Sequence, residues 1–181
     1  MNKIGFTTSR SPAKKTRSFV FDIIQVVPQS FRVVRGSSNL ENCLNLMKNQ
    51  SFSTAIIINS VKGNPNFIRI FDLSEKIKEI PFAIKIRGLT LSREYQKVKR
   101  KNKPIYSFLI SSLNNLDEES VIKKFLGITN KKVDEIEEKE YVTAYADYID
   151  KDEGLIFIEF LDGRNKQIGP RMKMKVITRQ V

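Results

Sequence analysis

The run Thr54-Ala55-Ile56-Ile57-Ile58 has the length of a strand and no alternation of polar and apolar residues. Such a strand is buried on both faces, so other elements must cover it from two sides. Strand and helix signals alternate ahead of it. Residues 4–8 read as a short strand, and Ser11 is a candidate N-cap with Pro12 at the first helical position. That helix is expected to run to about Val27, where Pro28 stops it. Phe31 to Val34 is a brief strand. Ser38 with Glu41 forms a capping box for a second helix, striped by Leu40, Cys43, Leu44 and Met47. This order predicts an α/β sheet with helical crossovers.

The rest of the chain extends the pattern. Lys62-Gly63-Asn64-Pro65-Asn66 is a turn, and Phe67 to Phe71 and Phe82 to Ile86 are strands. Residues 90–104 are the expected joint between two halves. Lys97, Lys99, Arg100, Lys101 and Lys103 crowd it without apolar periodicity, as in a solvated linker or an RNA contact. The second half holds a strand from Tyr106 to Ile110, a helix over 116–126 and a charged surface stretch over 131–140. A hairpin follows, Tyr141 to Ile149 with Leu155 to Leu161, with Tyr141, Tyr145 and Phe157 expected mostly in the core. In the last strand, Met172 to Thr178, the residues Met172, Met174 and Val176 face inward. Arg171, Lys173, Lys175 and Arg179 share the other face.

Charge is distributed against local helix chemistry. The formal net charge is +12, and residues 1–104 carry 20 Lys and Arg against six acids. Lys14, Lys15 and Arg17 occupy the first two turns of the first helix, where each cation costs about 0.3–1 kcal/mol against the helix dipole. The third helix does the reverse, with Asp117, Glu118 and Glu119 at its start and Lys123 and Lys124 before Gly127. An external phosphate would offset both the cations and the dipole. On the wheel of the first helix, Phe19, Val20, Ile23, Ile24, Val26 and Val27 form the apolar face. Phe21 falls among the polar residues, as a second packing contact or an exposed stacking ring; packing is the preferred reading.

Other chemistry is poorly supplied. The chain has no His and a single Cys, so His-dependent triads, a disulfide and Cys-pair zinc sites are all absent. No apolar run approaches a membrane span, and the N-terminus has no apolar core of a secretory signal. A cytoplasmic protein without cofactor, metal, membrane or small-molecule substrate is expected. A nuclease is disfavoured because the acids of the first 104 residues, Asp22, Glu41, Asp72, Glu75, Glu79 and Glu94, are scattered.

Three ordered segments carry a family likeness. Thr7-Thr8-Ser9-Arg10-Ser11-Pro12, with Thr16-Arg17-Ser18-Phe19, Pro28-Gln29-Ser30 and Arg35-Gly36, is followed by Lys62-Gly63-Asn64-Pro65 and by Ile168-Gly169-Pro170-Arg171-Met172. Together they resemble the Brix-domain family, whose members act in ribosome assembly and pre-rRNA processing. The resemblance implies two similar α/β halves, each a mixed sheet with packed helices like the anticodon-binding domain of class IIa aminoacyl-tRNA synthetases. One such domain would fill residues 1–181, with halves at about 1–89 and 105–181, in a stand-alone archaeal form.

The resemblance points to Arg10, Arg17, Arg35, Lys62, Asn64 and Arg171 as RNA-binding positions. Charge and position add Ser9, Lys14, Lys15, Lys173 and Lys175. Ser9, Ser11 and nearby amides would hydrogen-bond a phosphate between the bidentate arginines. Arg35 is equally open to an internal acid pair. Gly36, Gly63, Pro65, Gly169 and Pro170 read as turn geometry. The expected function is non-catalytic binding of rRNA or pre-rRNA, with ribosomal or other assembly proteins as further partners. Neutralising about six phosphates would give a log–log salt slope of roughly −4 to −5. A tRNA-binding module and a small DNA-binding chromosomal protein are the alternatives.

Overall fold

The computed structural model describes residues 3–95, 103–128 and 137–179. Its strands are β1 (Ile4–Thr8), β2 (Ser30–Arg32), β3 (Thr54–Val61), β4 (Asn64–Asp72), β5 (Lys78–Thr90), β6 (Tyr106–Ser111), β7 (Tyr141–Asp150), β8 (Leu155–Asp162) and β9 (Gln167–Thr178). The helices are α1 (Lys14–Ile23), α2 (Leu40–Asn49) and α3 (Leu116–Leu126). All nine strands form one sheet, ordered β2-β1-β3-β4-β5-β9-β8-β7-β6.

The connectivity repeats about the β5–β9 junction. On one side β1 and β3 are parallel and lead into the antiparallel run β3-β4-β5; on the other, β6 and β7 are parallel and lead into β7-β8-β9. The two halves share this sheet, because β5 and β9 pair antiparallel from Phe82–Thr178 to Thr90–Arg171. The sheet curls until its edges approach. Lys103, just before β6, donates to the Ser30 carbonyl of β2 at 2.9 Å.

One core crosses both halves. Phe6 of β1 meets Phe125 of α3 edge-on at 6.0 Å, and both rings are fully buried. Helices α1 and α3 pack on the same face as Ile56, Ile68, Ile84, Met172 and Ile158. Helix α2 covers the other face with Cys43, Leu44 and Met47 against Ala55 and Ile57. Strand β3 is thus buried on both sides, as its uninterrupted apolar run requires.

Local chemistry sets the element ends. Asn115 caps α3 by accepting from the Asp117 amide at 2.9 Å, and Gly127 closes it in the left-handed region. Asn39, not Ser38, caps α2, accepting from the Asn42 amide at 2.7 Å. Helix α1 begins two residues after the expected Pro12. Ala13 is still extended and no side chain caps the helix, because the Ser9 amide continues the β1–β3 ladder to the Ile58 carbonyl. Regular α1 ends at Ile23, and tighter turns carry the chain to Val27 ahead of Pro28. The Ser30 hydroxyl donates to the carbonyls of Val27 and Ile24, satisfying acceptors left by the helix end.

Several expectations shift. Strands β4 and β5 are longer than predicted, and β2 is shorter. The start of the proposed joint is folded: Ser92–Glu94 is a 3-10 turn, and the Ser92 amide donates to Asp22 of α1 at 2.7 Å. Residues 96–102, with Lys97, Lys99, Arg100 and Lys101, and residues 129–136 lie outside the described residues. Tyr141, Tyr145 and Phe157 are only half-buried, on the face opposite the main core, because they alternate with Val142, Ala144, Ile156 and Ile158. Gly169 and Pro170 lie within β9 rather than in a turn.

Gly169 is required by close approach. Its φ is +66°, and a Cβ there would sit 2.6 Å from Val26 Cγ1. Gly63, in the two-residue β3–β4 turn, has φ +82° but open space around it. Gly169→Ala is therefore expected to cost about 2–4 kcal/mol from strain and overpacking, and Gly63→Ala about 1 kcal/mol from strain. Urea unfolding of the two variants checks the difference.

A second prediction concerns the tie between β4 and α3. Lys124 pairs with Asp72 at 2.7 Å, and this ammonium, with Ser74, holds the Asp72 carboxyl down from 3.8 to about 2. A lowered carboxyl pKa stabilises the fold above the unfolded value, and the gain is lost as pH falls from 3.8 toward about 2. The pair is a third exposed, so the effect should be no more than about 1 kcal/mol. Asp72→Asn should remove that part of the acid limb in pH-dependent unfolding.

Candidate nucleic-acid interface

Strand β1 leads to α1 on one face of the sheet, whereas its neighbour β2 leads to α2 on the other. The two loops part beyond the carboxyl ends of these parallel strands and leave a crevice. Open α/β sheets bind ligands at such a switch point. Here the crevice is a cavity of about 200 Å³ lined by Ser9, Arg10, Arg17, Arg32 and Arg35, with the backbone of both loops. Among the described residues no acidic side chain lines it.

Each arginine arrives by a different route. Arg10 lies in the loop after β1 and Arg17 on the first turns of α1; both are exposed. Arg32 ends β2, and its guanidinium stacks 4.6 Å from the Phe21 ring centroid. Arg35 donates through Nε to the Ser38 carbonyl at 2.9 Å, so its loop is braced while the rest of the fork stays available. Among the described residues none of the four pairs with a carboxylate within 4.0 Å. Four like charges around so small a space repel unless an anion joins them.

The start of α1 adds to this field. Its first turn carries Lys14 and Lys15 and no acid, whereas α2 opens with Glu41 and α3 with Asp117, Glu118 and Glu119. The Thr16 hydroxyl bonds that of Ser60 at 2.8 Å, pinning the helix start to the end of β3. Just beyond Ser60, at the same end of the sheet, Lys62 sits on the β3–β4 turn and Asn64 opens β4, and both are exposed. Ser9, Arg10, Arg17 and Arg35 are thus gathered in one crevice, with Lys14 and Lys15 adjoining and Lys62 and Asn64 on the same rim.

The closing strand differs. Arg171 lies 3.7 Å from Glu159, bonds the Gln167 side chain and stacks 4.8 Å over Tyr95. Burial pushes the Tyr95 hydroxyl up to about 12 against the pull of Arg171. Lys175 pairs with Glu153 at 2.8 Å, and Arg179 with Glu79. Glu79 also takes Arg69. Burial raises its carboxyl, but the two arginines prevail and keep it below its ordinary value. Lys173 stays exposed without an acid partner among the described residues.

One crevice residue, Arg32, escapes the sequence reading, and Phe21 takes the less favoured of its two alternatives, an exposed ring. Arg32 lacks a motif of its own, although strand alternation opposes it to Phe31 and places it three residues before Arg35. Phe21 was expected to pack, yet it is 48% exposed. Its position at i+4 from Arg17 was the available signal.

The fold matches that of an archaeal protein of known structure. A probable ribosomal biogenesis protein from Aeropyrum pernix K1 superposes with a TM-score of 0.81 over 100% of this chain and 98% of that one, at 21% identity. No family model matches the chain. Among curated proteins, it is similar to the probable Brix domain-containing ribosomal biogenesis proteins of two archaea. Identity is 24% for Sulfurisphaera tokodaii, over 98% of this chain and 94% of the relative. For Methanococcus maripaludis it is 28%, over 94% of each.

The charge of the crevice suits an anion, and phosphate is the direct probe. Phosphate at ten times its dissociation constant should stabilise the protein by about 1.4 kcal/mol. Phosphate also acts on all proteins by exclusion, so the readout is the difference from Arg32→Ala/Arg35→Ala in thermal unfolding. An equal rise in both proteins would show that the crevice holds no anion.

Proposed function

We propose that this chain is a Brix-domain factor of ribosome biogenesis that binds rRNA or its precursor without catalysing a reaction. The observation that carries this reading is the crevice of Arg10, Arg17, Arg32 and Arg35, with no acid in its lining among the described residues, beside the uncapped, lysine-rich start of α1. Guanidinium forks and free amides suit phosphodiester oxygens. The names of the curated relatives supply the cellular process, and the repeated strand connectivity is in keeping with the anticodon-binding likeness that the family resemblance implies. Cytoplasmic work with ribosomal or other assembly proteins follows from the same likeness.

In this reading Ser9, Arg10, Lys14, Lys15, Arg17 and Arg35 form the main phosphate track, with Lys62 and Asn64 on its rim. Lys173 offers a second backbone contact. Arg171 and Lys175 join it only if RNA displaces Glu159 and Glu153, so their contribution is smaller. The non-catalytic reading is supported by the use of acids: Asp22, Asp72 and Glu79 are engaged by Ser92, Lys124 and two arginines.

Arg10→Glu with Arg17→Glu should weaken rRNA binding and lower the log–log salt slope by about two, while the circular dichroism spectrum stays unchanged. Filter binding across a salt series measures both quantities. Unaltered affinity at moderate salt would remove the proposed track. Competition by tRNA or duplex DNA separates the alternative ligands.

A further inference from the structure

We infer that the arginine crevice continues into a base-stacking platform at Phe21, so that the preferred ligand is an unpaired nucleotide rather than a regular duplex. The inference rests on the RNA-binding reading and adds what that reading leaves open, the strandedness of the RNA.

Helical geometry places Lys14, Arg17 and Phe21 at i, i+3 and i+7, one stripe along α1. All three are exposed, and the opposite stripe of Thr16, Phe19, Val20 and Ile23 is buried. Arg17 lines the crevice and Phe21 follows one turn later. From the other side Arg32, which also lines the crevice, lays its guanidinium over the Phe21 ring at 4.6 Å. The ring is therefore joined to the phosphate pocket through Arg32, and Arg17 lies one turn before it on the same stripe of α1. A nucleotide whose phosphate enters the pocket would bring its own or the next base to the exposed ring and the planar guanidinium. Both are sequence-tolerant stacking surfaces.

Comparison with another exposed ring sharpens the assignment. Phe31 is 43% exposed, but it packs edge-on against Phe52 at 6.1 Å and lies under Lys3, so its role in the fold is evident. Phe21 has no aromatic neighbour among the described residues and is stacked by the guanidinium of Arg32. A single exposed ring is ordinary on a protein surface; one stacked by a pocket arginine, one turn after a second pocket arginine, is placed for a base. The cavity, about 200 Å³, has room for a phosphate with its ribose. Bases in a duplex are already stacked and cannot reach the ring.

The test uses the full chain and three RNA probes of equal length: an oligouridine, the same backbone with abasic riboses, and a duplex. Fluorescence anisotropy should show the oligouridine binding roughly 5- to 150-fold more tightly than the abasic strand, the range for one or more stacked bases. Phe21→Leu, which keeps apolar bulk without a ring, should bring the ratio of oligouridine to abasic affinity down to about one, whatever loss of abasic binding follows from Arg32 losing its stacking partner. Phe21→Tyr should retain it. Equal affinity of wild type for base-bearing and abasic strands overturns the stacking platform, as does full retention of the preference by Phe21→Leu; either result leaves the ring to a protein partner. Arg10→Glu/Arg17→Glu on the abasic probe separates the two levels. If this variant loses abasic binding while bases add nothing, phosphate binding stands and only the platform fails. If it loses nothing, the RNA-binding reading itself fails.

Discussion

Packing across the seam between the two halves is the constraint on which the rest depends. Phe6 and Ile4 of β1 lie against Phe125 and Gly127 of α3, and Val26, just past α1, fits over Gly169 of β9. Each half contributes a helix that the other half buries. The core therefore closes only when the sheet curls through all nine strands, and α1 is fixed with its apolar stripe consumed. Its polar stripe is left outward beside the ends of β1 and β2. The crevice is a by-product of that placement, with its arginines brought together from four separate points of the chain.

Electrostatics then divides the basic residues into two populations. Arg69, Arg171, Arg179, Lys124 and Lys175 have carboxylate partners and hold strands or helices together. Arg10, Arg17, Arg32 and Arg35 line a cavity that has no acid among the described residues. Formal charge cannot distinguish these groups, because a paired and an unpaired arginine count equally. The basic stripe on β9 is legible from alternation, but most of it is neutralised by Glu79, Glu153 and Glu159, which reach it from other strands or the β7–β8 turn. Single-sign stripes in sequence can thus be half of an ion-pair ladder.

Short-range signals were read well where the chemistry is local. The apolar run of β3, the stripe of α2 and the acid-to-base polarity of α3 all correspond to observed burial or caps. Errors arose where a neighbour in space decided the outcome. The start of α1 is delayed by the hydrogen bond from Ser9 to β3, and Tyr145 and Phe157 sit on the less covered sheet face because α1 and α3 both chose the other. Gly169 is constrained by Val26, more than 140 residues earlier in the chain, so no local turn signal could account for it.

The amino-acid order by itself determined the alternation of elements, the two-sided burial of β3, the reversed charge at the head of α1 and the residues of the family-like segments. Each is a property of a few neighbouring residues, set by periodicity, capping and the helix dipole. Tertiary structure alone decided which cations remain open, how Arg32 joins the crevice and why Phe21 faces water. Those outcomes depend on pairings between strands distant in sequence. Coulomb attraction and close packing act over ångströms of space, and separation along the chain does not enter.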